Sequence, residues 1–171
     1  KHRLSFRGAM DTLFYDKINK DLVMPVSNRI FPSLTNSKQI ENMILDHGGI
    51  DLLIGGIGIN GHVAFNEPET EETSMETYKN RSVRVVKISP ETMITNGINE
   101  FDGAYEFMPG YGITIGFKEI LSAKKIRLYC FRNWHKMVVR KASFYPPSVT
   151  FPVTLLQGTD TRIGIPECLA D

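Results

Sequence analysis

"IDLLIGGIGINGHVAFNEP", residues Ile50 to Pro68, joins a short apolar run to a glycine-rich stretch that carries one histidine, two asparagines and a glutamate. The run Ile50, Leu52, Leu53, Ile54 has the composition of a buried parallel strand. Behind it, Gly56, Gly58 and Gly61 are spaced G-x-G-x-x-G, where a dinucleotide fingerprint would stand. Two features oppose that reading. The third glycine of a fingerprint lies inside a continuing helix, and Asn66-Glu67-Pro68 leaves little room for one. The acid expected about 20 residues further on is also missing, its place taken by Lys79, Asn80 and Arg81. What remains is general: glycines after a parallel strand let a ligand approach the backbone, at the strand ends where open α/β sheets bind small molecules.

Working outward, helical and extended patterns alternate. Ala9, Met10, Leu13, Phe14 and Ile18 recur at helical spacing, which predicts a helix over residues 5–19 with Ser5 as N-cap. A short strand is expected at Arg29–Phe31. A second helix opens at Asn36 or Ser37, carries Ile40, Met43 and Ile44, and closes at Gly48-Gly49. Downstream, strands are expected at 83–88, 111–116, 126–131 and 161–165, and helices from "SPETM" (89–93), at 117–123, 135–144 and 152–157. Residues 67–80, polar and acidic, read as a long surface loop. The alternation implies an α/β fold with a mostly parallel sheet covered by helices on both faces. No composition shift marks a boundary, so residues 1–171 are expected to form a single domain.

The length of 171 residues suits such a domain. Lysine and arginine number 20 against 19 acids, with neither sign in a run, so nucleic acid and anionic membranes are poor partners. No apolar stretch approaches the roughly 18 residues of a spanning helix, and the chain reads as soluble and cytoplasmic. Cys130 and Cys168 have no metal-ligand spacing and are expected as reduced thiols. His2, His47, His62 and His135 show no ligand pairing, so neither a metal nor a cofactor is expected.

His62 supports a second reading of the opening stretch. Histidine is the side chain that moves protons near neutral pH, and Glu67 and Asn60 lie close enough in sequence to orient it. A histidine that merely stabilises the loop fits the spacing equally well.

"GGIGINGHVAFNEP" resembles the signature of the glucosamine-6-phosphate deaminase and galactosamine-6-phosphate isomerase family, G-x-G-x-[DN]-G-H-[IVL]-[AG]-[FL]-N-E-P, at every fixed position. "GITIGFKEILSAKKIRL", the "HK" at 135–136 and "FPVTLLQ" are similar to later parts of the family. The resemblance implies a Rossmann-like three-layer sandwich. It also implies a reaction in which an amino sugar phosphate is ring-opened, isomerised and deaminated to a ketose 6-phosphate and ammonia. By it, His62 shuttles the proton between anomeric hydroxyl and ring oxygen, Glu67 and Asn60 hold it, Gly56 offers backbone contact to the sugar, and Lys136 binds the phosphate. The implied partner is a small sugar phosphate, and because the family includes monomers and hexamers, a homo-oligomer stays open.

Three departures qualify the resemblance. Asn60 stands where many members have Asp, removing a negative charge beside His62. Ile98 stands where members have a substrate-binding arginine, while Asn96 agrees. The family's phosphate loop and the Asp-Glu pair whose aspartate removes the C2 proton do not occur, and the first residue is Lys1. The chain is therefore expected to lack an N-terminal part and to be inactive alone. Two rival readings remain. 6-Phosphogluconolactonases share the fold but follow the histidine with a Thr-Ala-Ser-Leu-Phe-Pro type of sequence, unlike Val63 to Pro68 here; the other rival is a sugar-phosphate-binding protein without catalysis.

Overall fold

The computed structural model describes residues 5–170. They fall into two compact units that divide between Ser33 and Leu34. In the first, the Ser5 side chain accepts the Gly8 N–H (3.1 Å) and starts α1, Phe6–Ala9. The helix widens to a π turn over Met10–Phe14 and tightens to a 3₁₀ turn over Tyr15–Lys17, so the expected 5–19 helix is realised as three short turns. The expected strand at Arg29–Phe31 does not form. Those residues follow a 3₁₀ turn, Val26–Asn28, and the Arg29 side chain bonds the Met24 carbonyl (2.9 Å) and lies over the Tyr15 ring.

The second unit begins with α2, Ser37–Asp46, which closes as expected: Gly48 and Gly49 adopt positive φ and the Gly49 N–H bonds Ile44 O (2.8 Å). Three parallel strands follow the order β1 (Leu52–Gly55), β4 (Lys125–Tyr129), β5 (Thr161–Gly164), with Leu53 opposite Ile126 and Leu128 opposite Ile163. In the central β4, Ile126 and Leu128 are wholly buried. β1 is buried on one face only. Leu53 points inward, but Leu52 and Ile54, on the opposite face, are exposed.

The expected α/β fold with a parallel sheet is present, but the remaining strands, β2 (Arg84–Lys87) and β3 (Tyr111–Thr114), pair antiparallel and apart from that sheet. The cause lies in their connection. The helix α4 (Pro90–Glu100) runs back from β2, and a parallel partner would start directly at its end. Instead residues 101–110 retrace α4, the Gly103 N–H bonding Gly97 O (3.1 Å), so the chain re-enters beside β2 with Ile88 N–H on Gly110 O (3.0 Å).

The acidic stretch 67–80 is not a plain loop. Ser74 caps a short helix α3, Met75–Lys79, and Tyr78 on it is wholly buried, its ring against Phe117. The Tyr78 hydroxyl reaches the Asn66 and Glu67 carbonyls (2.8 and 2.7 Å), and burial pushes its pKa well above the ordinary tyrosine value. The segment is a strap pinned into the core at one aromatic residue. Helices α5 (Phe117–Leu121) and α6 (His135–Phe144) flank the sheet and add Phe117, Ile120, Val138 and Ala142 to the core. The expected helix at 152–157 is a buried 3₁₀ turn, Pro152–Leu156. Among the described residues, no helix is long and apolar enough to cross a membrane.

Candidate active site

The chain leaves the C-terminal end of β1 as a tight glycine turn. The Gly58 N–H bonds His62 O (2.9 Å) and the Gly61 N–H bonds Gly58 O (2.9 Å). Gly61 has φ +83° and lies on the Phe151 ring, leaving no space for a side chain. Gly58 faces the imidazole so closely that a methyl there would come within 2 Å of His62 Cε1. The turn does not lead into a helix. Val63 and Asn66 form an isolated bridge around Ala64, which holds φ +55°, a conformation costing a non-glycine residue roughly 1–2 kcal/mol. Its neighbours enforce it: Phe65 N–H bonds Thr114 Oγ1 (3.0 Å), and buried Asn66 donates to Val63 O (3.0 Å) and Ile115 O (2.9 Å).

This fold-back brings His62, Asn60 and Glu67 together. The Asn60 amide is shared between the other two: its Nδ2 donates to Glu67 Oε2 (2.8 Å) and its Oδ1 faces His62 Nδ1 (2.8 Å). An amide oxygen only accepts, so His62 Nδ1 carries a proton and Nε2 is the nitrogen left to exchange one. Glu67 Oε2 also lies 3.3 Å from His62 Nδ1 and accepts from Thr92 Oγ1 (3.1 Å), while Oε1 accepts from the Ser89 N–H (3.2 Å). Burial alone would raise the Glu67 carboxyl. The hydrogen bond and charge of His62, with bonds from Asn60 and Thr92, outweigh it and hold the pKa at about 2.

Ser89 and Thr92 were legible only as a helix start. Ser89 does cap α4, accepting the Thr92 N–H (3.2 Å), but the cap also sets the Glu67 carboxylate against the N-terminus of α4, where a negative charge is favoured. Nothing in the local pattern announces that second role.

A cavity of about 260 Å³ opens beside the imidazole. Gly56, Gly58, His62 and Ala64 line it from the turn, Thr92, Thr95 and Asn96 from α4, and Trp134 from the start of α6. Its size, near the lower end of the roughly 300–1,000 Å³ typical of small-molecule sites, suits one sugar ring and not a dinucleotide. Lys136 lies on the first turn of α6 but is exposed and does not line the cavity; Ile98 is exposed on α4 and does not line it either.

His135 is buried directly behind. The Arg132 N–H donates to its Nδ1 (2.9 Å), so the proton sits on Nε2, which donates to the Ile57 carbonyl (3.0 Å). Burial lowers its pKa. The thiol of buried Cys130 also bonds the Ile57 backbone, and burial pushes it up to about 11; Cys168 is exposed. The glycine turn is thus tied to Cys130, directly after β4, and to α6. Among the described residues no group of three or more His, Cys, Asp and Glu side chains could hold a metal ion, and His2 and Lys1 lie outside those residues.

No family model matches the chain. Among individual proteins it is 33% identical over 161 residues to a glucosamine-6-phosphate deaminase of Hahella chejuensis, covering 92% of this chain and 57% of that protein. The solved structure of a monomeric glucosamine-6-phosphate deaminase superposes with a TM-score of 0.68 at 26% identity, over 83% of this chain and 56% of the other. 6-Phosphogluconolactonase from Trypanosoma cruzi shares the fold (TM-score 0.55, 18% identity, 91% of this chain and 61% of that one). The chain spans about half the length of the deaminases it matches. Extending through nearly the whole chain, the likeness is to glucosamine-6-phosphate deaminases, of each of which this chain spans less than two thirds.

Proposed function

We propose that this chain forms the ring-opening half of a cytoplasmic amino sugar phosphate deaminase. Such an enzyme converts glucosamine 6-phosphate, or its galacto epimer, to the ketose 6-phosphate and ammonia. The observation that carries the reading is the shared Asn60 amide, which fixes a His62 proton on Nδ1 and leaves Nε2 to exchange one beside a sugar-sized cavity. In ring opening, Nε2 takes the proton of the anomeric hydroxyl as the C1 to ring-oxygen bond breaks, then returns it to the ring oxygen. Glu67 stays ionised and balances the imidazolium formed between the two transfers. Gly56 is assigned backbone contact to the sugar, and Lys136, exposed on the first turn of α6, is assigned the phosphate. The described residues near the cavity include no carboxylate free to remove the C2 proton, because the nearest, Glu67, is engaged by four donors. The 171-residue chain is accordingly expected to bind the substrate without turnover. The pairing of Glu67 with His62 favours this reading over a lactonase.

Two measurements test it. Calorimetry should detect glucosamine 6-phosphate binding to the chain, and His62→Ala should weaken it. Ammonia release should appear in the protein encoded by the complete reading frame and vanish with His62→Ala. Binding without ammonia release in that protein would establish a non-catalytic sugar-phosphate binder instead. Hydrolysis of a 6-phosphogluconolactone would establish the lactonase.

A further inference from the structure

Trp134 is the one tryptophan of the chain, and it forms a wall of the cavity that holds His62. Its ring is held from behind. The indole stacks on the His135 imidazole with centroids 3.7 Å apart and planes 31° from parallel. His135 is in turn fixed at both nitrogens, by the Arg132 N–H and by Ile57 O. Trp134 itself is only partly buried and packs on the core.

The chemistry of the other lining residues narrows what this wall can do. The cavity presents glycine backbone, two threonine hydroxyls, the Asn96 amide, Ile57, Ile59, Ala64 and the imidazole, and no carboxylate. Glu67 lies behind His62, 12% exposed and committed to its partners. Trp134 is the one indole in this lining, and among aromatic rings the indole attracts cations most strongly.

We infer that Trp134 is a specificity-determining residue that takes the ammonium group of an amino sugar phosphate against its indole face. It thereby selects amino sugars over their hydroxyl counterparts. The inference rests on the ligand class proposed above. A hydroxyl in place of the ammonium has Thr95 and Asn96 within the same lining to bond but gains nothing from the ring. The rigid backing by His135 means that little side-chain freedom is lost on binding.

The test uses the 171-residue chain and the fact that its fluorescence comes from a single indole. Glucosamine 6-phosphate, glucose 6-phosphate and inorganic phosphate are titrated while tryptophan emission and calorimetric heat are followed. The expected result is an emission change with glucosamine 6-phosphate that saturates with the calorimetric curve, and no change with inorganic phosphate. The preference for glucosamine over glucose 6-phosphate should fall about two- to thirty-fold in Trp134→Ala, the range of a cation–π contact. In Trp134→Phe, which keeps the packing with a weaker ring, the fall should be smaller, so the inference stands even if the alanine variant folds poorly. Binding by calorimetry with silent emission, or a preference unchanged in Trp134→Phe and Trp134→Ala, would overturn the inference and leave the proposed function standing. An equal emission change with inorganic phosphate would also overturn it. Absence of glucosamine 6-phosphate binding altogether would remove the proposed function, and this inference with it.

Discussion

Asn60 Nδ2 donates to Glu67 Oε2 at 2.8 Å, across a fold-back that brings residues seven apart in the chain into one carboxylate–amide–imidazole cluster. Replacing the amide leaves a largely buried carboxylate oxygen short of a donor and frees the His62 ring. Asn60→Ala should cost about 1–3 kcal/mol of stability. At roughly 2–4 °C per kcal/mol for a chain of this size, thermal unfolding should shift down measurably. A melting temperature indistinguishable from that of the parent would show that the amide holds nothing in place.

Acid should dismantle the same cluster. The Glu67 carboxyl, held at about 2 against an ordinary 4.5, is ionised more readily folded than unfolded. Its contribution is therefore complete above an ordinary carboxyl pKa of 4.5 and lost as the pH falls toward 2. At about 1.4 kcal/mol per tenfold change in proton affinity, it amounts to at most about 3.5 kcal/mol. Urea midpoints of the parent and Glu67→Gln should differ by that amount near neutral pH and converge in strong acid; a gap independent of pH would refute the assignment.

Burial lowers the pKa of His135 too, so its effect has the same sign but sets in at higher pH. The unfolded chain binds the proton more readily, and stability should begin to fall as the pH drops below about 6.5, the ordinary histidine value. The decline should be absent in His135→Gln, whose amide can donate to Ile57 O without titrating. The readout is the urea midpoint from neutral to mildly acidic pH, and an equal slope in both proteins would place the decline elsewhere.

Gly58 separates site geometry from fold. A methyl at this position collides with the imidazole, whereas at Gly110 nothing lies within 4 Å. Gly58→Ala should displace His62 and weaken glucosamine 6-phosphate binding by about tenfold or more, the equivalent of one lost hydrogen bond. Gly110→Ala should change stability by no more than about 0.5 kcal/mol and leave binding unchanged. Calorimetry on both variants decides the matter; equal affinity in Gly58→Ala would mean that the imidazole does not need its observed position.

Tyr78 tests the strap. Tyr78→Phe keeps the packing on Phe117 but removes the hydroxyl from two motif carbonyls, at a cost of about 1–2 kcal/mol. Amide exchange over residues 67–80 should rise more than exchange in β4, since local opening follows the weakest tether. Uniform change across the chain would argue against a separately opening strap.

The elements that read correctly were those whose signal is local. Ser89-Pro90 at the start of α4 and Gly48-Gly49 at the end of α2 each satisfy or terminate a helix within a few residues. The strands of the parallel sheet were legible as apolar runs, but their burial was not, because a strand's second face is buried only by what packs over it. The Arg29–Phe31 strand failed for the same reason. Tyr78 carried no readable signal because one aromatic among acids has no period, although Ser74, the cap residue, preceded it.

The site divides along the same line. Asn60, His62 and Glu67 could be selected from the sequence because a short turn, rich in glycine, must bring its polar side chains near one another. That Asn60 bridges the other two, that Ser89 and Thr92 complete the carboxylate's partners, and that Trp134 closes the cavity all depend on α4 and α6 packing beside the turn. The sequence alone determined the strand, the turn and the chemical types at the site, since these depend on backbone freedom and residue chemistry over short distances. Tertiary structure alone decided how the carboxylate is held charged and what faces the ligand, because each is a contact between residues far apart in the chain, Glu67 with Ser89 and Thr92, and His135 with Ile57.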